Sequence, residues 1–220
     1  MIGNQMHGDT FDGVITCRPT AAPTTSPTSR PIDIYYSHDF SGNNGGFTFS
    51  EDLFYATSTN FQDSKGQIWH VTSTTTYGKS GTGGMKMKFT TYHTGIDTNI
   101  VSMGYTTDFT IPNVVVEDAI LQFDYKVKWD DGFAIDDMGK VLVQVDGTTV
   151  AEIEDIRKGY LSKWKSASIY LGTLDGVTKA TYSLKLGMYL EVNQNGIAGG
   201  DRFIVRFDNI QITGSKPLTA

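Results

Sequence analysis

Carboxylates and aromatic rings are the residues of this chain whose types and spacing could do chemistry. Asp208 lies in GDRFIVRFDNIQIT (Gly200–Thr213), where a strand pattern slips: Phe203, Val205 and Phe207 alternate on one face, and Ile210 and Ile212 alternate out of phase with them. One residue too many between two in-register halves is the sequence form of a β-bulge. Side chains of Asp208 and Asn209 could cap the backbone groups that such a bulge leaves unpaired. The densest acidic group is in WDDGFAIDD (Trp129–Asp137), with Asp130, Asp131, Asp136 and Asp137 close together. They repel one another unless a cation or basic partner relieves them. The stretch lacks the ligand spacing and closing Glu of an EF-hand loop. It reads as a solvated acidic turn, with an ion or polar ligand contact as the alternative.

The aromatic residues suggest a different chemistry. Exposed Trp and Tyr planes stack on the apolar C–H faces of sugar rings while polar side chains take the hydroxyls. Trp69, Tyr77, Tyr92, Tyr105, Trp129 and Tyr160 are predicted at strand ends or in loops, and Tyr189 on a solvent-facing strand position. Trp164 precedes a strand in a pattern that packs inward. Burial remains the commoner fate of any one such ring. Nucleophilic and metal-hydrolytic motifs are missing: the four histidines form no HExxH, and there is no G-x-S-x-G elbow and no P-loop. Gly81–Gly84 (GTGG) precedes a strand rather than a helix, so no phosphate cradle follows from it.

These residues must be positioned by a chain of 220 residues, 39% hydrophobic and 19% charged, with 24 glycines. That suffices for one domain with a real core. The net charge of −6 offers no overall positive field for nucleic acid, leaving only a local patch for any polyanion. Cys17 is the only cysteine, so no internal disulfide forms. No stretch reaches the length of a membrane span. Residues 1–16 have neither the basic start nor the apolar middle of a secretory signal, and their role is unassigned. Residues 17–32 hold Pro19, Pro23, Pro27 and Pro31 among Ser, Thr and Ala, which makes an extended, semi-stiff linker suited to O-glycosylation. An upstream domain joined through it is the expectation. Residues 33–214 form the domain and 215–220 a tail.

Within the domain the period is two. Met85, Met87 and Phe89 alternate with Lys86 and Lys88, and Leu121, Phe123, Tyr125, Val127 and Trp129 alternate with Gln122, Asp124, Lys126 and Lys128. Val141, Val143 and Val145 turn at Asp146-Gly147 and return through Val150, a hairpin signal. WKSASIYL is a further strand, and Tyr182, Leu184, Leu186, Met188 and Leu190 share one side of another. Strands with one buried and one wet face, and no sustained helical period, predict an all-β, antiparallel two-sheet β-sandwich of jelly-roll type. A closed barrel has the same periodicity.

The order SHDFSGNNGGFTFS, QIWHVTSTTTYGKSGTGGMKM, LQFDYKVKW, VLVQVDGTTV, YLSKWKSASIYL and VRFDNIQIT resembles extracellular jelly-roll modules: carbohydrate-binding modules and MAM-like or concanavalin-like adhesion domains. The resemblance implies adjacent first and last strands. It also implies a structural calcium ion held by Asp208 and Asp39, with Glu51 or Asp52 completing the set. It implies, further, a non-catalytic module of a surface or wall protein, extracellular, that binds a polysaccharide or glycoconjugate or mediates adhesion. The alternative is an enzyme on the same scaffold. LQFDYKVKWDDGFAIDDMGKVL and RFDNIQI faintly resemble jelly-roll polysaccharide lyases, for which Lys126, Lys128 and Tyr189 would share one wet face. IDDMGKVL departs from the glycine-rich segment of those enzymes. A glycoside hydrolase would need two carboxylates across a groove, with Asp124, Glu152 and Glu154 as candidates.

Overall fold

The computed structural model describes residues 30–40, 43, 45–51, 78–79, 83–90, 99–129, 138–153, 163–192 and 202–217. Its strands are β1 (Ile32–His38), β2 (Thr48–Glu51), β3 (Met85–Thr90), β4 (Asn99–Thr110) and β5 (Val115–Trp129). They continue with β6 (Met138–Val145), β7 (Thr148–Ile153), β8 (Lys165–Asp175), β9 (Thr181–Val192) and β10 (Arg202–Ser215). One sheet has the order β1-β10-β5-β8, with β3 also on β10; the other has the order β2-β4-β9-β6-β7. Every pairing is antiparallel. The chain is therefore an all-β, two-sheet sandwich. From β4 onward it passes from sheet to sheet, apart from the β6–β7 hairpin, as a jelly roll does.

Alternation decides what each strand buries. Phe203, Val205 and Phe207 of β10, Met85 and Met87 of β3, and Leu121 and Phe123 of β5 are at most 2% exposed. They face Met103, Tyr105 and Phe109 of β4 and Leu184, Leu186 and Met188 of β9, which are equally buried. Each such side chain contributes roughly 1.5–3 kcal/mol by leaving water. The predicted hairpin turn is present: Asp146 and Gly147 have φ of 51° and 76°, the mirror-image turn that matches strand twist.

The slip at Asp208-Asn209 is a bulge. Asp208 pairs with Asp124, but the next matched pair is Gln211 with Gln122, and Asn209 has φ of 50°. Its position has a long-range cause. On the edge away from β5, β10 pairs with β3 through Phe207 and with β1 from Ile210 onward. The bulge lies where one neighbour ends and the other begins. First and last strands are adjacent, as predicted. At the same junction the exit of β1 presses on the approach to β3: a Cβ built on Gly83 would stand 2.0 Å from the Phe40 carbonyl oxygen. Phe40 itself has φ of 57°.

Candidate functional site

A polar knot fills the junction. Asp208 is 0% and Asp124 7% exposed, on directly opposed positions of β10 and β5. The Lys79 backbone N–H donates to Asp208 Oδ2 at 2.7 Å, and the Asn209 N–H to Oδ1 at 2.8 Å. Lys79 Nζ donates to Asp124 Oδ1 at 2.9 Å and Asn209 Nδ2 to Oδ2 at 2.8 Å, while the Ser166 hydroxyl also donates to Asp124. Burial pushes the Asp208 carboxyl above the usual carboxylate range, with Asp124 and Asp39 adding to it against the two backbone donors. Asp124 is also desolvated, but its hydrogen bonds from Asn209, Ser166 and Lys79 outweigh that and hold it low. Of the two, Asp208 is the more easily protonated.

The donor chemistry at Asp208 suits a hard cation, because a buried carboxylate with acidic neighbours is relieved by positive charge. Asp39 lies within electrostatic reach. Glu51 ends β2 in the opposite sheet, and its side chain, like Asp52, lies outside the described residues. Among the described residues, no group of three or more His, Cys, Asp or Glu could hold a metal ion.

Of the predicted aromatic set, the structure describes the side chains of Tyr105, Trp164 and Tyr189. Trp69, Tyr77, Tyr92 and Tyr160 lie outside the described residues, as do the acidic turn 130–137, Glu154 and the chain before Arg30; Trp129 ends β5, its side chain likewise outside them. Tyr105 is a correction. It belongs to β4, is 0% exposed, packs edge-on against Phe49 and donates its hydroxyl to the Lys86 carbonyl at 3.0 Å. Its ring stacks on no ligand. Trp164 is half-buried. Tyr189 faces outward from β9, half-buried, paired with Ser102 and Lys140. The centre of that face is shielded from solvent: Ser102 is 0% and Leu142 2% exposed although both alternate away from the core.

Among the described residues, the candidate enzymatic side chains are divided between the two sheets. Lys126 and Lys128 lie on β5 and Tyr189 on β9, in different sheets. Asp124 and Glu152 are likewise in different sheets, and Glu152 is paired with Lys140 at 2.9 Å. The carboxylate that does neighbour Asp124 is Asp208, which at 0% exposure meets no substrate.

The outer face of the β1-β10-β5-β8 sheet is covered at Asp208, Asp124 and Ile204, which are at most 7% exposed, and accessible in the rows beyond the bulge. Ile34, Thr213, Ile120 and Tyr170 form one row across four strands. Ile34 is 62% and Tyr170 66% exposed. Tyr170 donates its hydroxyl to Asp118 at 3.2 Å, which holds the ring in place and raises the phenol pKa through that hydrogen bond and the nearby charge. It borders a hollow of about 290 Å³ lined by Arg30, Ile32, Asp118, Ile120, Thr213 and Ser215. The next row is Gln211, Gln122 and Ser168. It opens a second hollow of about 300 Å³, whose polar walls are Gln122, Gln211, Ser166, Ser168, Asn209 and Asp124. Amides, hydroxyls and a fixed exposed ring on one face can bind a polyol by hydrogen bonds and stacking.

No protein-family profile matches the chain, and no curated protein matches its sequence. Among solved structures, the chain is similar to TmCBM61, determined in complex with β-1,4-galactotriose, at 12% identity and a TM-score of 0.38, over 76% of this chain and 86% of that one. It is similar to TmCBM27, a carbohydrate-binding module studied for specific mannan recognition, at 14% identity and a TM-score of 0.36, over 84% and 99%. A cyclase from Fischerella sp. TAU is similar at 16% identity and a TM-score of 0.35, over 79% and 86%. Superpositions this loose place no residue of this chain in a role.

Proposed function

We propose that this chain is a non-catalytic carbohydrate-binding module of a surface or wall protein, working outside the cell, with its glycan on the outer face of the β1-β10-β5-β8 sheet, along the rows of Tyr170 and Gln122. The observation that carries the reading is Tyr170, an exposed ring fixed by Asp118 beside hollows walled by amides and hydroxyls. One sugar stacks on Tyr170, and its neighbours along the chain hydrogen-bond Gln122, Gln211 and Ser168. A panel of soluble plant, fungal and bacterial polysaccharides, run by affinity electrophoresis and then calorimetry, tests it. Tyr170→Ala is expected to weaken the best ligand about tenfold, the worth of one stacked ring. Tyr189→Ala is expected to leave it unchanged. Ligand turnover, or full affinity in Tyr170→Ala, would sink the reading.

The same proposal includes a structural calcium ion held by Asp208 and Asp39. Binding of calcium to the folded state alone raises stability by mass action, about 2.7 kcal/mol at a hundredfold excess over Kd. Melting with calcium and with EDTA is expected to differ in the wild type and to coincide in Asp208→Ala. Coincident wild-type curves would remove the ion.

A further inference from the structure

Five half-buried cations share the outer sheet face beyond the polar hollow. Lys86, Arg206 and Lys126 are directly opposed on β3, β10 and β5, and Lys88 and Lys128 flank Ile204 in the next outward row. Their neighbours Met85, Met87, Val205, Phe207 and Val127 turn inward, so all five charges project from one side. Like charges set opposite one another across strands cost stability. The concentration is notable in a chain of net charge −6. Four of the five also engage other groups of the chain, so an incoming anion meets the field of the group and no bare cation is required. Among the described residues, the nearest acids on this face, Asp124 and Asp208, are already held by Lys79 and Asn209.

Position connects these rows to the sugar site. Gln122, Asp124, Lys126 and Lys128 are successive outward residues of β5, so Gln122 and Lys126 are about 13 Å apart at ~3.3 Å per residue. A glycan of a few units in the hollow reaches the first basic row. We propose that the ligand is an anionic polysaccharide whose carboxylate or sulfate groups engage Lys86, Lys126, Lys128 and Arg206. This rests on the carbohydrate-binding reading and names the class of glycan.

The test uses matched pairs that differ only in charge: polygalacturonate against its fully methyl-esterified form, and carrageenan against desulfated carrageenan. Whichever charged member binds is expected to bind about tenfold more tightly than its neutral partner at low salt. That advantage is expected to fade as ionic strength rises from about 0.01 to 0.15 M, where the screening length drops from ~30 to ~8 Å. Lys126→Gln with Arg206→Gln is expected to weaken the charged glycan about fivefold and leave the neutral one unchanged. Lys126→Gln alone serves if the pair does not fold. Equal affinity for charged and neutral partners overturns the proposal and leaves the carbohydrate reading intact, whereas failure of every glycan overturns both. A single-stranded oligonucleotide that outcompetes every glycan also overturns it, by showing a polyphosphate surface.

Discussion

Asp208→Ala is expected to lower the unfolding free energy by about 2–4 kcal/mol, because it empties a fully buried position and removes the acceptor of the part-buried Lys79 and Asn209 N–H groups. In a domain of this size that is a fall in Tm of roughly 5–15 °C. Asp208→Asn separates hydrogen bonding from charge. It keeps one acceptor and turns an amide toward the other N–H, so it is costly at pH 4. With the Asp208 pKa raised in the folded state, the carboxyl's contribution is full below the unfolded value of about 3.9 and is lost as pH rises through the folded value. In calcium-free buffer the gap between wild type and Asp208→Asn therefore narrows from pH 4 to pH 7. Asp124, with its pKa depressed, has the opposite sign: its stabilisation is present at neutral pH and disappears as pH falls through the folded value. Calcium at Asp208 would widen the Asn gap at pH 7, since only the carboxylate holds the ion. A gap independent of both pH and calcium would contradict the buried, charge-loaded junction. Denaturant melts at the two pH values read all of this.

Gly83→Ala is the second large effect. Its methyl would lie 2.0 Å from the Phe40 carbonyl oxygen and 2.9 Å from the carbonyl carbon, both backbone atoms. No rotamer change relieves such a clash, so β1 or β3 must move at the bulge, where β10 hands over from one to the other. The expected cost is about 3 kcal/mol or more, with weaker protection of the Ile210–Ser215 amides in hydrogen exchange. Gly84→Ala, whose nearest contacts are at 3.1 and 3.2 Å, is expected to cost less. Equal melting of Gly83→Ala and wild type would mean that the junction is looser than described.

Local patterning carried most of the fold. The period-two runs of β3, β5, β9 and β10 and the Asp146-Gly147 turn each state their own structure. β4 went unread because Gly104 and Thr107 interrupt it, although Met103, Tyr105 and Phe109 alternate as a buried set. Without β4, Tyr105 reads as a strand end or loop position. Tyr170 was missed despite a usable signal: Ser166, Ser168 and Tyr170 alternate with Ala167, Ile169 and Leu171, which places the ring on the wet side of β8. Sheet membership was beyond reach. Alternation says that Lys126 and Tyr189 both face water, but only the long-range pairing of β5 with β10 and β9 with β4 puts them on different faces. The cause of the Asp208 bulge is long-range in the same way, since it depends on β1 and β3 sharing one edge of β10.

Amide and side-chain chemical shifts recorded while an oligosaccharide is titrated into the labelled domain would locate the ligand directly. The expected result is a contiguous footprint over Gln122, Ser168, Tyr170 and Gln211, extending to Lys126 for an anionic glycan. A footprint centred on Tyr189, Lys185 and Ser102, with the β5–β8–β10 face silent, would contradict the account.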